Sequence, residues 1–208
     1  MSPTPALPAK TGRKRDPSRD IAILEATLDV LAESGYAGLT IDQVAAVAGA
    51  GKATVYRRWA NKTELVLDAL ARLNASTLDL AALPDTGTLR GDLHALLVPH
   101  VNGDDDRRLR IMAGLTSLLT EHPGVGEAAD AAVVGPWARA NETLIQRAIK
   151  RHEVRPVDRL DTLSRVIPTM TMYRVCIQRL PIPNDYVASL IDAVLLPALG
   201  LAAQGPSR

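Results

Sequence analysis

Residues 38–62 read GLTIDQVAAVAGAGKATVYRRWANK. Thr40, followed three positions later by Gln43, has the form of a capping box and predicts a short helix from Ile41 to Ala48. Gly49 stops that helix, because glycine takes the positive φ that a sharp interhelical turn demands, and Ala50 and Gly51 lead into a second helix at Lys52. Val44, Ala48 and Val55 close the apolar wedge between the two, and Ala45 is small enough to let the backbones approach. The outward face of the second helix offers Lys52, Thr54, Tyr56, Arg57 and Arg58, with no acid between Lys52 and Lys62. That pattern suits a polyanion: the first residues of such a helix reach base edges in the major groove, and Tyr and Arg further along fix the register on phosphates. Asn61 with Glu64 repeats the capping spacing and sets Lys62 in the first turn of a third helix, where an ammonium and free backbone N–H groups form a phosphate clamp.

Upstream, Ile21, Leu24, Leu28 and Leu31 form a stripe at helical spacing, with Asp16 or Ser18 as cap, Pro17 in the first turn and Gly35 as the stop. Before it, KTGRKRDPSR (10–19) sets five positive charges against Asp16 alone. Arg13, Lys14 and Arg15 are therefore candidates for minor-groove or phosphate contact, against the plainer reading of a solvated tail.

Residues 21–66 resemble the DNA-binding domain of the TetR family of bacterial transcriptional repressors. The likeness rests on the lead-in ending in Gly35 and Tyr36, the Thr40 cap, the Ala48–Gly49 turn, the segment from Tyr56 to Trp59 and the lysine opening the next helix. Two positions depart from the family pattern. Gly51 stands where serine is frequent, removing a hydroxyl, and Ala53 stands where glycine is frequent, offering a methyl to a thymine methyl. The resemblance implies a homodimer on a palindromic double-stranded operator. It also implies a C-terminal half that binds a small-molecule effector and, through the helix starting at Asn61, changes the spacing of the two recognition helices.

Composition frames this reading. The 208 residues are 47% hydrophobic and 3% aromatic without a single Phe, so Leu, Val, Ile and Ala must build the core, which favours packed helices over a β-sandwich. Net charge is only +1, so the argument for DNA rests on local clustering. Cys176 is the one cysteine, which excludes an intrachain disulfide and fits a reducing cytoplasm. No apolar run approaches the roughly 20 residues of a membrane span, and MSPTPALPAK reads as a disordered tail rather than a signal peptide. The expectation is an all-α chain of about nine helices: a basic arm over 1–17, a helix-turn-helix domain over 18–80, and a regulatory and dimerisation domain over 81–203.

In the second half the third capped helix runs to about Leu80, a loop follows over 81–87, and helices are expected over 89–101, 104–120, 125–151 (kinked or divided at Pro136), 158–179 and 184–199. Met112, Leu115, Trp137, Met170 and Tyr173 either line a ligand cavity or fill the core, and methionine serves both purposes. The family resemblance implies that the helices over 158–179 and 184–199 pair with their copies in a four-helix dimer interface, and Val187, Leu190, Ile191, Val194 and Leu195 form an apolar face wide enough to need cover on more than one side, hence the expected interface residues. The four histidines are scattered, so no metal or other cofactor is expected. No nucleophile elbow, phosphate loop or zinc-hydrolase motif points to an enzyme. Two alternatives stand beside this: a same-fold regulator that answers to a protein partner, or to nothing, and a helical enzyme that borrowed the DNA-binding fold.

Overall fold

Gly35 breaks the first helix at the point its sequence position predicts. The computed structural model describes residues 17–98 and 105–202. Helix α1 (Pro17–Gly38) is interrupted at Gly35, whose φ of 65° lies in the left-handed region. Then come α2 (Ile41–Val47), α3 (Lys52–Tyr56), α4 (Lys62–Thr77), α5 (Leu89–Leu97), α6 (Asp105–Glu121), a 3₁₀ turn (Pro123–Val125), α7 (Gly126–Val133), α8 (Gly135–Lys150), α9 (Leu160–Cys176) and α10 (Asn184–Ser189). The last continues without a break through a π-helical stretch (Leu190–Leu195) and a final turn (Leu196–Ala198). Among the described residues no strand occurs, and ten helices stand where nine were expected because Pro136, in the first turn of α8, divides the 125–151 helix at Val134. None of these helices is long and apolar enough to cross a membrane. The arm with Arg13, Lys14 and Arg15 lies outside the described residues, as does the join between the helices expected over 89–101 and 104–120.

One connected set of buried side chains runs from Ile23 to Leu199, so the N-terminal helices and the rest of the chain share a core. The broadest seam is between α1 and α6. Gly114 makes it possible: a Cβ there would fall 2.5 Å from Leu31 Cδ1 and 2.8 Å from its Cγ, and Leu31 is fully buried. Arg107 of α6 adds hydrogen bonds from its Nη2 and Nε to Asp29 of α1 at 2.7 and 3.2 Å.

The chain supplies donors across helices where a helix cannot supply its own. Pro168 sits inside α9 and has no N–H for the carbonyl of Ser164, and the buried Asn141 of α8 donates to that carbonyl through Nδ2 at 3.1 Å. At the opposite edge, fully buried Asp92 accepts from the N–H and hydroxyl of Thr86 at 2.6 and 2.8 Å and from Arg151 at 3.1 Å, which fixes the loop before α5 against the end of α8. Burial opposes ionisation of Asp92, but the Thr86 and Arg151 donors outweigh it and hold the carboxyl below the usual value of 3.8.

The π-helical stretch decides which residues of the expected dimer face stand open. It inserts one residue into the winding, so the inward row steps from Val187, Leu190 and Ile191 to Leu195, Leu196 and Leu199, while Val194 turns outward. Val187, Leu190, Ile191 and Leu195 are thus buried within their own subunit, and Val194 alone of the five is open, at 44% exposure. Apolar periodicity correctly marked a buried face, but one covered from inside the chain.

Candidate nucleic-acid interface and ligand cavity

Thr40 caps α2 as its spacing predicts: its hydroxyl accepts from Gln43 N–H at 3.2 Å, and the Gln43 side-chain oxygen accepts from the Thr40 N–H at 2.9 Å. At the other end Gly49, with φ 57°, donates to Ala46 O at 3.2 Å while Ala50 donates to Ala45 O at 2.9 Å, the paired bonds of a Schellman turn. The chain therefore enters α3 on a fixed course. Val44 and Val55, both wholly buried, close the wedge, with Ala45 buried beside them and Ala48 half-buried against the core.

On α3, positions 52, 53, 56 and 57 fall within one side of the helix, and Lys52, Ala53, Tyr56 and Arg57 are all exposed there. Thr54 is half-buried at the flank. The stretch itself holds no acid, but α2 brings one: Lys52 is paired with Asp42, both well exposed. Such a surface pair contributes only about 0–1 kcal/mol, so a phosphate can replace the carboxylate.

Two candidate contacts are placed differently from expectation. Arg58 does not share the open face; its side chain, only 10% exposed, is paired with Asp20 and ties α3 to α1. Lys62 is half-buried and turned inward, its ammonium 4.2 Å above the Tyr36 ring and donating to the Tyr36 carbonyl at 3.0 Å. Tyr36 is wholly buried, shares a 2.7 Å hydrogen bond with Thr63, and meets the ring of His122 edge-on at 5.6 Å. Lys62 thus joins α4 to α1 and, through Tyr36, to the end of α6. Trp59 packs inside and donates to Asp68 at 2.8 Å.

A cavity of about 70 Å³ lies between α4, α6, α8 and α9, with Leu73, Met112, Trp137, Ile167 and Met172 among the residues lining it. Met112 and Trp137 were expected there. Leu115 is buried in the core away from the cavity, and Met170 and Tyr173 are 41% and 49% exposed on the outside of α9. Residue type alone did not separate the two sides of α9. The sequence reading missed Asn74 and Arg108 at the cavity wall. Asn74 left a signal, since it continues the buried row of Val66 and Leu70 at four-residue spacing and is the one polar member of it. Its Oδ1 accepts from Trp137 Nε1 and its Nδ2 donates to Ala132 O, both at 2.9 Å, so α4 is hydrogen-bonded directly to the cavity wall. The Cys176 thiol lies against Met112 O and Met172 Sδ, and burial pushes it up, although Thr116 and Arg179 act the other way.

An exposed cationic helix set on a capped, glycine-hinged turn is the geometry of a DNA-binding helix-turn-helix. Residues 23–69 match the family described as bacterial regulatory proteins, tetR family, and residues 83–194 match the tetracyclin repressor-like C-terminal domain. The chain is 35% identical over 193 residues to an HTH-type transcriptional regulator of Mycobacterium tuberculosis, covering 90% of this chain and 93% of the relative. It is 32% identical to the DNA-binding transcriptional repressor TetR of Mycobacteroides abscessus, over 88% of this chain and 94% of the other. A crystal structure of a TetR-family regulator from Mesorhizobium loti superposes with a TM-score of 0.68 at 16% identity, over 90% of this chain and 98% of that one, a likeness of fold. The chain belongs to the TetR family of bacterial transcriptional regulators.

Proposed function

We propose that this regulator is a homodimeric repressor that holds a palindromic operator through paired α3 helices and releases it when a small molecule occupies the cavity beneath Trp137. The observation that carries the reading is the Asn74 link: the helix that leads out of the DNA-binding region forms part of the cavity wall and is hydrogen-bonded to it. A ligand that shifts Trp137 acts on α4, and with it on the distance between two recognition helices. Because both half-sites must be held at once, a small change in that distance forfeits the effective concentration of the second contact. The relative from M. abscessus named as a repressor supports the direction of control.

In this reading Lys52, Ala53, Thr54, Tyr56 and Arg57 meet the operator, with Thr40 at the start of α2 beside them and Arg13, Lys14 and Arg15 following the backbone. Arg58 and Lys62 brace α3 and α4 from behind. Two copies of so short a helix reach half-sites about 34 Å apart on one face of the duplex. The pairing face is the outer side of the C-terminal half of α9, where Met170, Tyr173 and Ile177 recur at helical spacing and stand open. Three large apolar side chains open along one side of a helix call for a partner.

Fluorescence anisotropy against DNA from the protein's own promoter tests the first part. Arg57→Ala and Tyr56→Ala should each weaken operator binding about tenfold, with the salt slope reduced by about one for the arginine and melting temperature unchanged. Wild-type affinity in both variants would end the assignment of α3 as the reading helix. Ile177→Asp should sediment as a monomer and lose operator binding with it; a dimer surviving that change would place the interface elsewhere.

A further inference from the structure

The surface that meets DNA in this reading is not uniformly cationic. From Ile41 to Arg58 the one acid is Asp42, in the first turn of α2, and its carboxylate is paired with the ammonium of Lys52, which opens α3. Both side chains are well exposed, at 57% and 61%. The pair has little to do for the fold. Helix α2 is already held by the reciprocal Thr40 and Gln43 bonds, the course into α3 by the turn at Gly49, and the wedge by Val44 and Val55, and an exposed ion pair adds almost nothing to such devices. For DNA binding the acid is unfavourable, since a carboxylate beside phosphates repels them. Its effect falls instead on the choice between one duplex and another.

Lysine is a point charge on a flexible stem, with three donors on its ammonium. Left to itself at the start of α3, Lys52 would take any phosphate in reach and add to the sequence-independent part of the affinity. Paired with Asp42, the ammonium is held at the end of the recognition helix that meets base edges, and its remaining donors are open to acceptors such as guanine N7 and O6. Contact with bases therefore leaves the pair intact. Contact with a phosphate draws the ammonium away and strands the carboxylate in the field of the backbone. The two modes of binding differ by that stranded charge.

We infer that Asp42 is a specificity-determining residue, which disfavours phosphate contact by Lys52 and so lowers affinity for DNA other than the operator; the inference rests on α3 as the reading helix. Fluorescence anisotropy of the full-length protein, against promoter DNA and a scrambled duplex of the same length and composition, tests it. Asp42→Asn should bind the scrambled duplex about tenfold more tightly, about threefold for each subunit, with a salt slope steeper by about one per subunit, while promoter affinity rises no more than about twofold. When Lys52→Gln is added, the gain from Asp42→Asn on scrambled DNA should fall below about twofold relative to Lys52→Gln alone. An equal gain on both duplexes would reduce Asp42 to background charge and overturn the inference, as would no gain on either, or a full gain that persists without Lys52. In each of those cases Arg57→Ala and Tyr56→Ala still weaken promoter binding. If those two variants keep wild-type affinity, the reading helix itself is misassigned and Asp42 loses its role with it.

Discussion

Helices α3 and α9 both turn side chains to solvent, but they are held by different means and show different chemistry. The five residues of α3 are fixed by devices next to them in the chain, the Schellman turn over residues 45–50 and the buried Val55, and its open face is polar and cationic. The seventeen residues of α9 are fixed by groups from elsewhere. Asn141 supplies a missing donor, and on the far side Arg174 lies 4.3 Å from the Tyr186 ring while the Tyr186 hydroxyl donates to Met170 O at 3.3 Å. Its open side is polar at the start, with Asp161, Thr162 and Arg165, and carries the large apolar side chains Met170 and Tyr173 toward its end. A short helix between two turns has its outward side set by its neighbours in sequence, whereas a long helix has it set by whatever the core leaves uncovered.

That contrast can be broken most forcefully at the end of the chain. Leu195→Ala should cost about 3 kcal/mol in chemical denaturation, because the leucine is wholly buried in its own subunit, while Val194→Ala one position earlier should cost well under about 1 kcal/mol. Equal losses would mean that the π-helical step is absent and the regular winding expected from sequence is correct.

Asp92 sharpens the comparison next, as a group fixed by partners distant in sequence. Its folded-state pKa is depressed, so its contribution is present above the unfolded value and is lost as pH falls from about 4 through the folded value. Asp92→Asn should lower stability by about 2 kcal/mol at pH 7 and flatten the acid limb of a melting-temperature profile; an unchanged acid limb would contradict the Thr86 and Arg151 contacts. The smallest effect belongs to the local device. Thr40→Ala should cost about 1 kcal/mol by removing one cap, measured by denaturation, and no loss would show that the capping box does not hold α2.

The all-helical fold and the course of the chain from Ile41 to Lys62 could be read from sequence because every signal there acts within four or five residues. Thr40 finds Gln43 and Ala50 finds Ala45 without reference to the rest of the molecule. Arg58 and Lys62 were harder, since their partners Asp20 and Tyr36 lie on α1 and nothing in a cationic run shows which cations face inward. In the second half the apolar rows were visible but not their covering. Met170 and Tyr173 fit a cavity by residue type and stand outside it, while Asn74 and Arg108 are polar and stand at its wall. The outward side of the last helix was misread for a related reason: one extra residue in the winding after Ser189 turns Val194 outward while Val187, Leu190, Ile191 and Leu195 stay buried, and hydropathy alone does not record it.

Pro168 and Asn141 leave the chain with an obligation that neither residue carries by itself. Replacing the proline with alanine would restore an N–H aimed at Ser164, whose carbonyl has two lone pairs and can take that donor beside the Asn141 amide. Removing the amide alone would strand the carbonyl. The dependence runs one way: while the proline stands, the asparagine on the neighbouring helix cannot be given up, whereas the proline can be lost without the asparagine.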